Sequence, residues 1–519
     1  MASNALPIQQ YETVVEKINI NHCMFLVVIS FLLRLVWMNY NGLLVEEAYY
    51  WNYAQHLDFS FYDHPPMVAV LIKLSTMLFG VHDFSVHLPA LFCWVLTAVF
   101  TFKLTELIMR GAGVYAVMLF AVLPYFFMQS VVTTPDTPVM VCWASALYYL
   151  YRGLVLSESR AWYAVGICLG LGMVSKYTIV LLAVPTLIYA IATPSARQWF
   201  LRKEPYLAVV IALLLFSPVI YWNATHEWAS FIFQSVRRFK SRPSFSLPAF
   251  IGLLLFFVTP VGIVELWKLF KNSAGKSSLL DLNTVRFFQL FTLLPLGFFG
   301  FYSLTHSVKF DWIGPGLLSV LPWFAVLIKR AWLSEKNKVL TNWFYTAGVL
   351  LCLYAVIISV TTMGVSGWLH QKILAQYFSW KDLAKEFNDV ASQVETETSR
   401  ETLFVPLDSY HIGSELAFYQ SLFLAQGKVQ KNYPIVGSHI FGGNSLMYNY
   451  WTDGKSLSGK TLILISDHKI DFDNDAVKAV TIEQSPLRVV WSHSQRGHQE
   501  LTPFYYKIVE IKPEVNLNS

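Results

Sequence analysis

Long apolar blocks, parted by short polar breaks, fill the first two thirds of the chain. They lie at 23–43, 86–109, 113–130, 138–154, 161–175, 177–193, 206–222, 247–269, 287–304, 312–329 and 342–363. Each approaches the ~20 apolar residues that a transmembrane helix needs, so the pattern predicts about eleven transmembrane helices. Two shorter helices are expected in the first external loop, 44–85. One is the amphipathic stretch "EEAYYWNYAQHL" (46–57). The other, 66–80, follows two prolines, carries Lys73 and is read as lying at the membrane surface rather than crossing it. From about residue 364 the pattern shortens. An amphipathic helix around 379–394 and the β-type runs "TLFVPL", "KTLILIS" and "YYKIVEI" predict a small α/β domain over 364–519. The expected architecture is a mainly α polytopic membrane protein, with a transmembrane domain over 1–363 and a C-terminal α/β domain.

Charge assigns sides. With the N-terminus in the cytoplasm, cytoplasmic loops fall near Arg110, at 194–205, at 268–286 and at 329–341, where most of the basic loop residues lie. The exceptions are 237–242 and Lys309. A crossing at 66–80 would reverse every later loop, so the distribution favours an odd number of spans and a tail outside the cytoplasm. The composition agrees: 55% of the 519 residues are hydrophobic and 14% charged, against about a quarter charged in soluble domains. A net charge of +5 without a Lys/Arg block gives no reason to expect a nucleic-acid partner. The five cysteines sit in or beside apolar runs without ligand spacing, so neither disulfides nor a structural metal is expected. The N-terminus has no small-residue cleavage site, and 23–43 reads as an uncleaved anchor and first span.

The expected external loops hold an unusual set of ionisable residues. "VEEAYYWNYAQHLDFSFYDHPP" (45–66) contains Glu46, Glu47, Asp58, Asp63 and His64. "VVTTPDT" brings Asp136 to the mouth of a span, and "SKYT" puts Lys176 at a turn between two apolar runs. Loop 223–246 has His226, Glu227, Arg237, Arg238, Lys240 and Arg242, and "THSVKFD" has His306, Lys309 and Asp311. Charges near a bilayer are costly and tend to be paired or functional. Each also has a plainer reading. Glu46 and Glu47 can simply start a helix, Asp136 can cap one, and His64 can be a structural histidine before a proline turn. Lys176 and Lys309 can snorkel, and Arg237 and Arg238 can meet lipid headgroups. Arg34, Glu106 and Glu265, within or at the ends of spans, read as helix-packing partners. What favours function is the gathering of both signs on one side.

His64, Lys176, Arg237, Arg238 and Lys309 could neutralise a phosphate. Glu46, Glu47 and Asp136 could hold or deprotonate a hydroxyl. Tyr49, Tyr50, Trp51 and Tyr62, with Asp63 and Asp311, could position a sugar or a lipid chain. A lipid-phosphate-linked sugar fits this inventory, because cations stabilise the charge that develops on a departing phosphate. No Gly-rich nucleotide loop is present, so a nucleotide sugar is not the expected donor.

Seven stretches in order carry a resemblance: "EEAYYW" (46–51), "YDHPPMVAVLI" (62–72), "TTPDTPVM" (133–140), "GLGMVSKYT" (170–178), "PVIYWNATHEWASFIFQ" (218–234), "VKFDWIGPG" (308–316) and "DSYHIGSELAFY" (408–419). They resemble the bacterial membrane glycosyltransferases of the dolichyl-phosphate-mannose protein mannosyltransferase-like superfamily, which have the GT-C fold and include the lipid A aminoarabinose transferases. The resemblance covers most of the chain. It implies an inverting transferase in the bacterial inner membrane, with its active site and tail domain on the periplasmic side. The implied donor is a polyprenyl-phosphate (undecaprenyl-phosphate) sugar, and the implied acceptor is lipid A or another envelope glycan. The family's first loop carries an Asp-Glu pair. Here the pair is Glu46-Glu47, one methylene longer at its first position. Asp136 matches a second family acid. His64 stands where some relatives have Lys, and its charge depends on pH. Lys176 and Lys309 match basic positions, as does one of Arg237 and Arg238. No cofactor is implied, although carboxylates at a membrane surface can bind a divalent cation loosely. The alternatives are a protein glycosyltransferase and a transporter or flippase of a lipid-linked sugar.

Overall fold

The computed structural model describes residues 8–237, 243–271, 280–333, 338–363, 380–452, 457, 459–494 and 497–512. The chain divides into two compact units. The first comprises Met1–Val36, Ala90–Val131 and Pro135–Val356; the second comprises Trp37–Pro89, Val132–Thr134 and Ile357–Ser519.

The chain is a multi-pass membrane protein. Among the described residues seven helices are long and apolar enough to cross a bilayer, or eight if the pair Tyr177–Ala192 and Pro194–Leu201, bent by 111°, counts as one span. They account for eight of the eleven expected blocks. Of the other three, one is a helix of full length but lower hydropathy, and two are short or broken. Block 138–154 is the helix Asp136–Leu154, and 161–175 is the 15-residue helix Ala161–Ser175. Block 113–130 is two helices, Gly113–Val122 and Pro124–Gln129. Pro124 explains that break: it has no N–H to donate, and it drives the preceding Leu123 into an extended conformation (φ −65°, ψ 139°).

Two glycines set the packing in the first unit. Helix Ala161–Ser175 lies against helix Lys203–Thr225 through Gly166 and Gly170, four residues apart. A Cβ on Gly166 would fall 2.5 Å from the Ala208 carbonyl oxygen, and one on Gly170 would fall 2.8 Å from Leu215 Cβ. Arg34 is a packing partner, as expected. It is buried, donates to the Ala121 carbonyl and to Ser130 Oγ, and lies over the rings of Trp94 and Phe127.

In the second unit the three β-type runs form strands of a five-stranded sheet. Strands β1 (Thr402–Pro406) and β2 (Thr461–Ser466) pair in parallel. The long β5 (Gly497–Ile511) runs antiparallel to β2, to β3 (Thr481–Glu483) and to β4 (Arg488–Ser494). Every residue of β1 and β2 is buried, which explains their unbroken apolar runs. Helix Trp380–Thr398 covers the sheet with Leu383, Ala384, Phe387, Ala391 and Val394, a helical spacing that matches the amphipathic expectation.

Helix Val45–Gln55 differs from its expected amphipathic form. Residues Glu47 to Ala54 are all buried. Helix Met67–Phe79 and the tail helix His411–Ala425 both pack on it, and only Glu46 and Gln55, near its two ends, are exposed.

Candidate active site

In the first unit, Asp136, Lys176 and Asp311 come together. Asp136 opens helix Asp136–Leu154, where a carboxylate complements the helix dipole. It does not cap the helix: Oδ2 accepts from Lys176 Nζ at 2.6 Å, and Oδ1 has no partner among the described residues. Lys176 sits in extended backbone where helix Ala161–Ser175 gives way to the 3-10 turn Tyr177–Leu182. Its ammonium also donates to Asp311 Oδ2 at 2.8 Å. Lys176 is therefore a buried cation shared by two acids rather than a snorkelling one; it is 6% exposed and Asp136 2%. One positive charge serves two carboxylates, so the deeper acid is short of neutralisation. Burial pushes the Asp136 carboxyl up to about 7, against the pull of Lys176.

Asp311 belongs to the short helix Phe310–Ile313, followed by the turn Gly314–Ser319. Tyr125 Oη donates to the Asp311 carbonyl at 3.3 Å, and its ring covers Gly314 so closely that a Cβ there would fall 1.6 Å from Tyr125 Cζ. Lys309, two residues before Asp311, is exposed. Arg237 ends the π turn Phe233–Arg237. Arg238 lies outside the described residues.

In the second unit, the Glu46-Glu47 pair divides. Glu47 is fully buried. Its Oε1 accepts from His87 Nδ1 and from the Thr133 N–H, each at 2.8 Å, and its Oε2 accepts from the Leu44 N–H at 3.2 Å. Glu46 is exposed and makes no hydrogen bond or ion pair with the described residues. Its charge still reaches the tail: it adds to the burial that pushes the Tyr410 hydroxyl up, and to the rise at His411, whose main cause is the hydrogen bond to Asp408.

Asp63 is buried, and Oδ1 accepts from Tyr49 Oη at 3.2 Å and from Tyr53 Oη. Tyr49 Oη in turn accepts from the Met447 N–H at 3.2 Å, and its ring lies 4.6 Å from that of Tyr410. Tyr62 donates its backbone N–H to Met447 Sδ at 3.1 Å. His64 is half-buried, with its ring edge-on to Tyr50 at 5.7 Å.

Sequence reasoning missed several partners. His87 was hidden inside an apolar block, and its signal was a histidine one turn after Asp83. From the tail, Tyr419 Oη accepts from the Leu43 N–H and donates to Asp83, which also pairs with Lys381 at 2.8 Å. Glu415 is fully buried with neither carboxylate oxygen partnered among the described residues, and burial raises its carboxyl well above the usual range. Both residues lie in "DSYHIGSELAFY", which sequence reading had used for likeness rather than chemistry.

No group of three His, Cys, Asp or Glu placed to hold a metal ion occurs among the described residues.

Comparison with known proteins agrees with the resemblance. Residues 63–222 match the family described as dolichyl-phosphate-mannose-protein mannosyltransferase. The chain is 28% identical over 214 residues to a lipid A galacturonosyltransferase, RgtD, of Rhizobium johnstonii, covering 39% of this chain and 43% of that one. It is 24% identical over 318 residues to the undecaprenyl phosphate-alpha-4-amino-4-deoxy-L-arabinose arabinosyl transferase of Pectobacterium atrosepticum, covering 55% and 51%. The matched stretches thus span about half the length of these curated relatives. In fold, the chain is similar to the crystal structure of ArnT from Cupriavidus metallidurans. The apo form has a TM-score of 0.63 at 13% identity over 93% of this chain and 97% of that one; the form bound to undecaprenyl phosphate has a TM-score of 0.60. The chain is thus similar in fold to ArnT and, over residues 63–222, in sequence to the mannosyltransferase family.

Proposed function

We propose that the protein is an inverting glycosyltransferase of the bacterial inner membrane. It moves a sugar from a polyprenyl-phosphate donor, undecaprenyl phosphate in particular, to lipid A or a related envelope glycolipid on the periplasmic side. The acceptor oxygen attacks the anomeric carbon, the bond from that carbon to the phosphate oxygen breaks, and polyprenyl phosphate departs with the electron pair. A hydroxyl acceptor gives its proton to a carboxylate base; a phosphate acceptor is already an anion and needs none. The relatives named for lipid A and for an undecaprenyl-phosphate sugar support this reading.

The observation that carries it is the contrast within Glu46-Glu47. Glu47 is pinned by three donors at the start of a largely buried helix, and its neighbour Glu46 is exposed, which leaves one carboxylate open to substrate beside a fixed backbone. Glu46 is assigned to the acceptor. Asp136 is a second candidate base, and Glu47 is a positioning residue. Lys309, exposed two residues from Asp311, is assigned to the donor phosphate, with Lys176 behind it; His64 and one of Arg237 and Arg238 are further candidate phosphate ligands. Tyr49, Tyr50, Tyr62, Asp63 and Asp311 are assigned to positioning.

The test uses full-length protein in nanodiscs, with an undecaprenyl-phosphate sugar and lipid A. Mass spectrometry should find free undecaprenyl phosphate and lipid A heavier by one sugar. Loss or movement of the donor without release of undecaprenyl phosphate would instead indicate a transporter. Glu46→Gln should slow transfer by about 10²–10⁴-fold if Glu46 is the base, and should leave the melting temperature unchanged because Glu46 supports no other group.

A further inference from the structure

The second unit contains a cavity of about 370 Å³, within the ~300–1,000 Å³ range of small-molecule sites. Its walls come from the C-terminal half of helix Val45–Gln55, from helix His411–Ala425, from segment 432–436 and from residues around Trp451. Neither Glu46, Glu47 nor His64 lines it.

The lining has a definite chemistry. Trp51, Trp451 and Tyr448 supply aromatic surface, and Asn52, Gln420 and Asn432 supply side-chain amides. Among the described lining residues there is no carboxylate, and Lys460 is the single Lys or Arg; it is drawn to Glu401 at 3.1 Å. The walls are held in place. Trp451 stacks on His56, with ring centroids 4.5 Å apart and planes 16° from parallel. Trp51 is fixed edge-on by Phe418 at 5.3 Å. Gln420 Oε1 accepts from the Tyr433 N–H at 2.8 Å.

A second observation points to a ligand. Trp51 is 3% exposed, yet its indole N–H has no partner among the described residues. Of the residues with a buried indole N–H in that state, Trp51 is the one that lines this cavity. An orphaned donor in a buried wall needs an acceptor. A ligand that offers acceptor oxygens, neutral charge and flat C–H faces suited to aromatic rings is a saccharide.

We infer that this cavity binds a neutral saccharide. Its purpose rests on the proposed transferase reading: it grips a sugar of the acceptor glycan, away from the reacting carboxylates. Occupancy itself does not depend on that reading.

The test measures binding by calorimetry and saturation-transfer NMR with full-length protein in nanodiscs. The probes are free N-acetylglucosamine disaccharide and, separately, rough lipopolysaccharide. Trp51→Phe keeps an aromatic ring but removes the pyrrole half of the indole with its N–H, so it should weaken binding by at least about three- to tenfold, the effect of one hydrogen bond. Trp451→Ala, at a half-buried position, should weaken it at least as much. Binding of the free disaccharide with both losses supports a general saccharide site. Binding of lipopolysaccharide alone with the same losses supports a site for the membrane acceptor. Absence of binding to either probe, or unchanged affinity in both variants, overturns the inference. The transfer assay is read independently. Saccharide binding without transfer would remove the proposed reaction and keep the site, and transfer without saccharide binding would do the reverse.

Discussion

At the scale of single residues, the Asp136–Lys176–Asp311 cluster gives the sharpest consequences. Removing the ammonium leaves two carboxylates facing each other in a buried setting. Lys176→Met should cost about 3–5 kcal/mol of stability, the usual price of breaking a buried pair, seen as a lower melting temperature in detergent. Adding Asp136→Asn should recover part of that loss, and a double variant no more stable than the single one would refute the shared-cation account. The pH dependence has a definite sign. The Asp136 carboxyl is raised from its ordinary 3.8 to about 7, so between those values the native state holds a proton that the unfolded chain has released. Stability from this group is therefore fully present below about pH 4 and is lost as pH rises toward 7. The melting temperature of the wild type minus that of Asp136→Asn should fall across that window; a flat or rising difference would contradict the assignment. Glu47→Gln places an amide NH₂ where donors now point, and should cost about 1–3 kcal/mol, measured as a lower melting temperature. At this scale the sequence exposed the charged residue types and their order, but not who pairs with whom. That two acids share Lys176 was not visible, because they lie 40 and 135 positions away along the chain. Asp63 was read as a positioning acid, and its donors Tyr49 and Tyr53 were not legible because those local aromatics could as well have faced lipid.

Elements were legible where their cause is local. The break at Pro124, the helix at 380–398 and the buried strands β1 and β2 each follow from proline chemistry or periodicity within a few residues. The burial of helix Val45–Gln55 was not legible, because the helix that covers it begins at His411. The glycine contact between helices Ala161–Ser175 and Lys203–Thr225 lies between these cases. Gly166 and Gly170 are visible as a small-xxx-small pair, but their partner is not. A methyl group at Gly166 would meet backbone atoms of Ala208 at 2.5 and 2.8 Å, and backbone cannot rotate away. Gly166→Ala should therefore cost about 1–3 kcal/mol by overpacking and loosen the turn that presents Lys176. Gly252→Ala is the matched control. It also lies within a helix but meets nothing within 4 Å, so it should be neutral or gain up to about 1 kcal/mol from helix propensity. Thermal unfolding in one detergent compares them directly, and equal melting temperatures would show that the interhelical contact is not tight.

For the whole molecule, the class of fold was legible and the number of crossings was not. Hydropathy recognises a membrane protein because the bilayer requires each span to satisfy its own backbone. It cannot separate one span from two short helices when a proline falls inside an apolar block, as at Pro124. Sides are decided instead by parity. The basic residues at 194–205, 268–286 and 329–341 fall on one side in either case, and that side is the N-terminal one only if the short helix Met67–Phe79 does not cross. With the N-terminus in the cytoplasm, the tail is then expected on the periplasmic side. Alkaline phosphatase joined after Lys512 should be active, and green fluorescent protein at the same point should stay dark. Both signals should reverse for fusions made after Arg330, in the basic loop. A crossing by Met67–Phe79 would swap every outcome downstream of it while leaving fusions before residue 66 unchanged. A paired set of fusions on either side of that helix would therefore detect the error at its source. The same set would decide which compartment holds Asp136, Lys176 and Asp311, and so whether a donor must reach them from the periplasmic leaflet.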